Sequence, residues 1–120
     1  MACVLVADSD SVVRSSIGRA LRLRGHRVRT APSLQEARAE LDAASRLDAI
    51  VIGLEIPDPR GVRAVWGPLR DAADGVPVVV CSASAKPKRT LGEVAAWFRK
   101  PLEVRQLLDF VDELDADGRR

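Results

Sequence analysis

Aromatic side chains are scarce in this 120-residue chain, which holds two Trp, two Phe and no Tyr. Its core must therefore be aliphatic, with Val, Leu, Ile and Ala at most apolar positions, and it offers little ring surface on which nucleic-acid bases could stack. Cysteine is equally rare. Cys3 and Cys81 both lie inside apolar runs, where a free thiol behaves as a small hydrophobe; this argues against a disulfide-stapled scaffold and for a reducing compartment. The single histidine, His26, follows a helix-ending glycine without Cys or His at metal-ligand spacing, so it reads as an exposed residue. No apolar run approaches the length of a membrane span, and Met1-Ala2-Cys3-Val4-Leu5-Val6-Ala7 meets Asp8 without a basic leader. The cytoplasm is the expected location, with no membrane partner.

The chain also lacks a strong net charge, at +2, but its charges are unevenly placed. Residues 14 to 29 carry Arg14, Arg19, Arg22, Arg24, Arg27 and Arg29 and no acid, whereas residues 103 to 117 carry six acids against Arg105. The arginines could neutralise backbone phosphates, yet no recognition motif accompanies them, so nucleic acid is disfavoured as a partner.

What is present is a regular alternation. Apolar runs at residues 2–7, 27–30, 48–53, 77–82 and 95–99 alternate with amphipathic or polar stretches, which predicts an α/β, doubly wound parallel sheet covered by helices. Val76-Pro77-Val78-Val79-Val80-Cys81 fits a strand buried on both faces, while the polar Arg27-Val28-Arg29-Thr30 belongs at a sheet edge. Val13, Ile17, Ala20, Leu21 and Arg24 recur at helical spacing up to Gly25. Ser33-Leu34-Gln35-Glu36 has the form of a capping box opening a second helix whose Leu34, Ala37, Leu41 and Ala44 face the sheet.

The third helical region should kink at Gly67-Pro68, and the fourth, in residues 86–94, is shortened by Pro87 and Gly92. Val104, Leu107, Leu108, Val111 and Leu114 form the stripe of the last helix. One domain over residues 1–115 is expected, with a flexible tail at 116–120. Ligands of such sheets gather beyond the carboxyl ends of the strands, where Asp8, Gly53, Ser82 and Lys100 all fall.

These signposts resemble a response-regulator receiver domain of the CheY-like kind. Val4-Leu5-Val6-Ala7-Asp8-Ser9-Asp10 looks like the acidic end of its first strand, and Asp48 through Gly61 resembles the third strand and following turn. Pro77-Val78-Val79-Val80-Cys81-Ser82-Ala83 is similar to the fourth strand with its hydroxyl residue, and Trp97-Phe98-Arg99-Lys100-Pro101-Leu102 to the fifth strand with its Lys-Pro turn. The resemblance implies a flavodoxin-like (βα)5 domain with a five-stranded sheet of order 2-1-3-4-5. It also implies that the first and last helices share a face, bringing the basic segment beside the acidic one. With the third strand between Cys3 and Cys81, two strand spacings of about 4.8 Å would keep their sulfurs from bonding.

In this family an acidic pair and a third-strand Asp hold magnesium, the Asp accepts a phosphoryl group, and the hydroxyl and lysine read it. Here Asp8 stands first in the pair, Ser9 second with Asp10 after it, and Gly53 where the acceptor belongs. The resemblance thus implies a degenerate pocket of Asp8, Ser9, Asp10, Gly53, Glu55, Ser82 and Lys100, without enzymatic activity. No metal is expected, with Asp8 and Asp10 as weak magnesium candidates and no other cofactor. Lys100 could pair with Asp8, and Glu55 or Asp58 could serve as a displaced acceptor. Trp97 holds the switch position and Phe98 adjoins it, so the expected role is phosphorylation-independent binding of a protein partner through the face of the fourth helix, fifth strand and fifth helix. A homodimer through that face, or a place inside a longer transcriptional regulator, is an alternative.

Overall fold

The computed structural model describes residues 1–43, 46–53, 75–82, 96–99 and 104–116. Strands β1 (Cys3–Ala7), β2 (Arg27–Ala31), β3 (Ala49–Gly53), β4 (Val78–Ser82) and β5 (Ala96–Arg99) pair in parallel in the order β2-β1-β3-β4-β5. This is the expected flavodoxin-like sheet. Helices α1 (Ser11–Leu23) and α2 (Leu34–Ala43) follow β1 and β2, and a C-terminal helix spans Val104–Ala116. The third and fourth helical regions lie outside the described residues, and so do Ala44 and residues 117–120. Ala116, expected to open the tail, is instead the last residue of the C-terminal helix.

Parallel strands covered on both sides need apolar side chains at every position, and β1 and β3 supply them. In β1, Val4 and Val6 enter a layer with Ile17, Leu21, Val51, Val79, Leu107 and Val111, while Leu5 and Ala7 point the other way, onto Ala31, Ala37, Ile50, Ile52 and Val80. Each large aliphatic side chain so buried contributes about 1.5–3 kcal/mol relative to exposure. Strand β2 behaves as the edge its composition suggested: Arg27 and Thr30 are exposed and only Ala31 is buried.

Helix ends follow local chemistry. Gly25 adopts φ 88°, a left-handed conformation that a Cβ would strain. There His26 N donates to Leu21 O at 3.1 Å and Gly25 N to Arg22 O at 3.0 Å, the paired bonds of a Schellman stop. At the start of α2, Ser33 Oγ accepts from Glu36 N at 3.1 Å, the serine half of the expected box. The C-terminal helix packs Leu107, Leu108 and Val111 into the same layer as α1, so the first and last helices share one face of the sheet.

Candidate functional site

The carboxyl ends of β1, β3, β4 and β5 meet because of the sheet register. Ala7 pairs with Ile52, so Asp8 and Gly53 come next to each other one step on; Gly53 pairs with Cys81, and Ser82 with Arg99. Of the expected pocket, Asp8 and Gly53 are brought side by side, Ser9 and Asp10 follow Asp8 in the chain, and the backbone of Ser82 stands at the end of the neighbouring strand. Lys100, Glu55 and Asp58 lie outside the described residues.

Asp8 is the buried acid of this group, 3% exposed. Its amide donates to Ala31 O at 3.1 Å, and its carbonyl accepts from the Arg14 guanidinium at 2.8 Å. Its Oδ1 accepts from the amide of Asp10 at 2.9 Å, which aims the carboxylate across the strand end. That carboxylate lies against Gly53: a Cβ on residue 53 would sit 2.7 Å from Asp8 Cγ and 3.2 Å from Oδ1, with Oδ2 nearer still. Real side chains do not approach so closely, so the Asp8 carboxylate occupies the space through which any side chain at residue 53 would leave the strand.

Asp10 has a role that sequence reasoning missed. Its Oδ1 accepts from Val12 N at 2.9 Å and Val13 N at 3.2 Å, capping α1 from an extended backbone conformation. An Asp directly before the apolar-periodic run of a helix was the available signal. Ser9 is exposed between the two acids. Among the described residues, no three His, Cys, Asp or Glu side chains converge.

A second polar cluster lies at the other end of the sheet and corrects the reading of His26. Its ring is buried, with the residue 6% exposed: Nδ1 accepts from Ala2 N at 3.1 Å, and Nε2 donates to Asp112 Oδ1 at 2.7 Å. The amide donor at Nδ1 selects the tautomer carrying its proton on Nε2. Arg24 reaches the same helix, pairing with Asp109 at 3.0 Å and with Asp112 Oδ2 at 2.5 Å. Burial alone pushes the Asp112 carboxyl up, but the hydrogen bonds from His26 and Arg24, with the charge of Arg24, outweigh it and hold the group below the ordinary carboxylate value. The basic segment thus meets the acidic one inside the domain, as expected. No local signal could have placed His26, because its partner is 86 residues away.

On the face named for a partner, Trp97 is placed as a backbone position of β5, paired with Val80. Phe98 is half-buried and packs edge-on against Phe110 of the C-terminal helix, ring centroids 6.2 Å apart. Cys3 and Cys81 lie on β1 and β4 with β3 between them and form no disulfide with each other.

The family model for the response regulator receiver domain matches residues 4–112. Among similar proteins, the transcriptional regulatory protein PrrA of Mycobacterium tuberculosis is 38% identical over 115 residues, covering 92% of this chain and 48% of that protein. The response regulator MprA of Mycolicibacterium vanbaalenii is 33% identical over 109 residues, covering 88% of this chain and 46% of its own length. The chain thus spans about half the length of these relatives. Among solved structures, the chemotaxis response regulator CheY4 of Vibrio cholerae superposes with a TM-score of 0.80 at 23% identity, over 95% of this chain and 98% of that one. A receiver domain from Clostridium thermocellum does so at 0.84 and 16% identity, over 99% and 98%.

Proposed function

Because this chain belongs to the response regulator receiver family, we propose that it is a receiver whose signalling runs through protein contacts without phosphorylation of its own pocket. The observation that carries this reading is the contact between Asp8 and Gly53. Residue 53 ends β3 at the place where the resemblance implies an acceptor, it has no side chain, and the Asp8 carboxylate lies in the space a Cβ there would enter. The domain then acts as a binding module and not as an enzyme.

Magnesium fits these residues poorly. The ion demands several hard oxygen ligands in near-octahedral array. Ser9 and Gly53 stand where two of three carboxylates are expected, Asp10 spends one oxygen on the α1 cap, and Asp8 Oδ1 is bonded to an amide.

The contact surface we favour is the face formed by the fourth helical region, β5 and the C-terminal helix, with Trp97 and Phe98 on β5 and either a protein partner or a second copy of the chain against it. The Phe98–Phe110 pair supports this choice, since it ties β5 and the C-terminal helix together as one platform. Relatives twice the length of this chain favour a second, compatible reading, in which the domain is the receiver portion of a longer regulator. NMR amide shifts of β5 and the C-terminal helix, recorded before and after addition of a small phosphodonor with magnesium, test the proposal. Unchanged shifts are expected; a concerted change across both elements would refute it.

A further inference from the structure

Around the amino ends of β1 and β2, opposite the Asp8–Gly53 site, lies an open cavity of about 840 Å³ lined by Cys3, Arg22, Arg27, Arg29, Arg46 and Asp48, among others. Four arginines line it against a single acidic residue. Register explains the crowding. Arg27 pairs with Cys3 and Arg29 with Leu5, so the two arginines stand two apart on the edge strand and point to the same side. Arg46 comes from the segment before β3, and Arg22, from α1 on the other face of the edge strand, reaches the Val28 carbonyl at 3.5 Å, so the cavity wraps the end of β2.

The charges are incompletely balanced. Arg29 pairs with Glu40 at 2.7 Å and Arg46 with Asp48 at 3.0 Å, whereas among the described residues neither Arg22 nor Arg27 is paired with a carboxylate. Like charges gathered around one cavity repel, and a bound anion relieves that repulsion. The guanidinium fork matches phosphate oxygens two at a time, and the volume lies in the range of small-molecule sites. The ring among the lining residues, that of His26, is buried and engaged at both nitrogens by Ala2 and Asp112, so it is not offered to a base.

We propose that this cavity is a binding site for a small molecule bearing two or more phosphate groups, held by Arg22 and Arg27 and flanked by the paired Arg29 and Arg46. Occupancy is independent of the chemistry at Asp8 and Gly53, at the opposite end of the sheet.

Calorimetric titration with inorganic pyrophosphate tests the site. Saturable one-site binding that tightens as salt is lowered is expected. Arg22→Gln and Arg27→Gln should each weaken it by roughly tenfold, the loss of one charge-assisted hydrogen bond, while Arg105→Gln on the exposed face of the C-terminal helix should leave it unchanged. Should either Gln variant lose its circular-dichroism signature, Arg27→Lys keeps the charge without the fork and should still bind several-fold more weakly. The proposal is overturned by absence of saturable binding, by equal weakening in Arg105→Gln, by full binding in the Arg22 and Arg27 variants, or by duplex DNA binding more tightly than pyrophosphate through the same arginines.

Discussion

The Asp8 carboxylate lies directly against the α-carbon of Gly53, so close that a Cβ there would fall 2.7 Å from Asp8 Cγ. The two residues belong to adjacent strand ends, and a side chain at residue 53 would enter the volume the carboxylate now holds, so Asp8 would have to shift to admit it.

The first consequence is energetic coupling. Gly53→Ala forces Asp8 to move, and overpacking of this kind costs about 1–3 kcal/mol. In an Asp8→Ala background the same substitution should cost less than half as much, since the obstructing carboxylate is gone. A urea-denaturation double-mutant cycle measures the difference, and additive effects would mean that the two residues do not compete for space.

Asp10 offers a second test, because capping and metal binding lead to different outcomes. Asp10→Ala should lower stability by about 1 kcal/mol in metal-free buffer, as loss of an N-cap does, with Asp10→Asn nearly harmless. If thermal melts in chelator showed no loss for Asp10→Ala, the cap assigned to Val12 and Val13 would be wrong.

The His26–Asp112–Arg24 cluster makes a prediction about acid. Asp112 is held below its ordinary value of 3.8, so its contribution to stability is complete above that value and is lost as pH falls below it toward the folded-state value. Asp112→Asn removes that contribution at every pH. The variant should therefore be less stable than the parent near neutrality, with the gap narrowing as acid is added below the ordinary carboxylate range. A gap that stays constant into strong acid would contradict the assignment.

Much of the sheet was legible because fully covered strands need unbroken aliphatic runs, and few other structures use a segment like Val78-Val79-Val80-Cys81. The polar pattern of β2 marked it as an edge for the same reason, and Gly25 and Ser33 marked helix ends by chemistry that is local. What stayed hidden depends on register. The pairing of Ala7 with Ile52 decides that Asp8 faces Gly53, and no window of sequence contains both residues. His26 looked exposed since nothing near it is complementary; its burial depends on Asp112, which the packing of the C-terminal helix on α1 brings to it. Asp10 was legible as a cap, since an Asp directly before an apolar-periodic run marks a helix start, although its place after Asp8 equally suits a metal-binding acid.

Intact-mass spectrometry after incubation with a small phosphodonor and magnesium tests the absence of an acceptor most directly. The chain should emerge at its unmodified mass. A stable single phosphoryl adduct, mapped to Glu55, Asp58 or any other acid at this end of the sheet, would contradict the account.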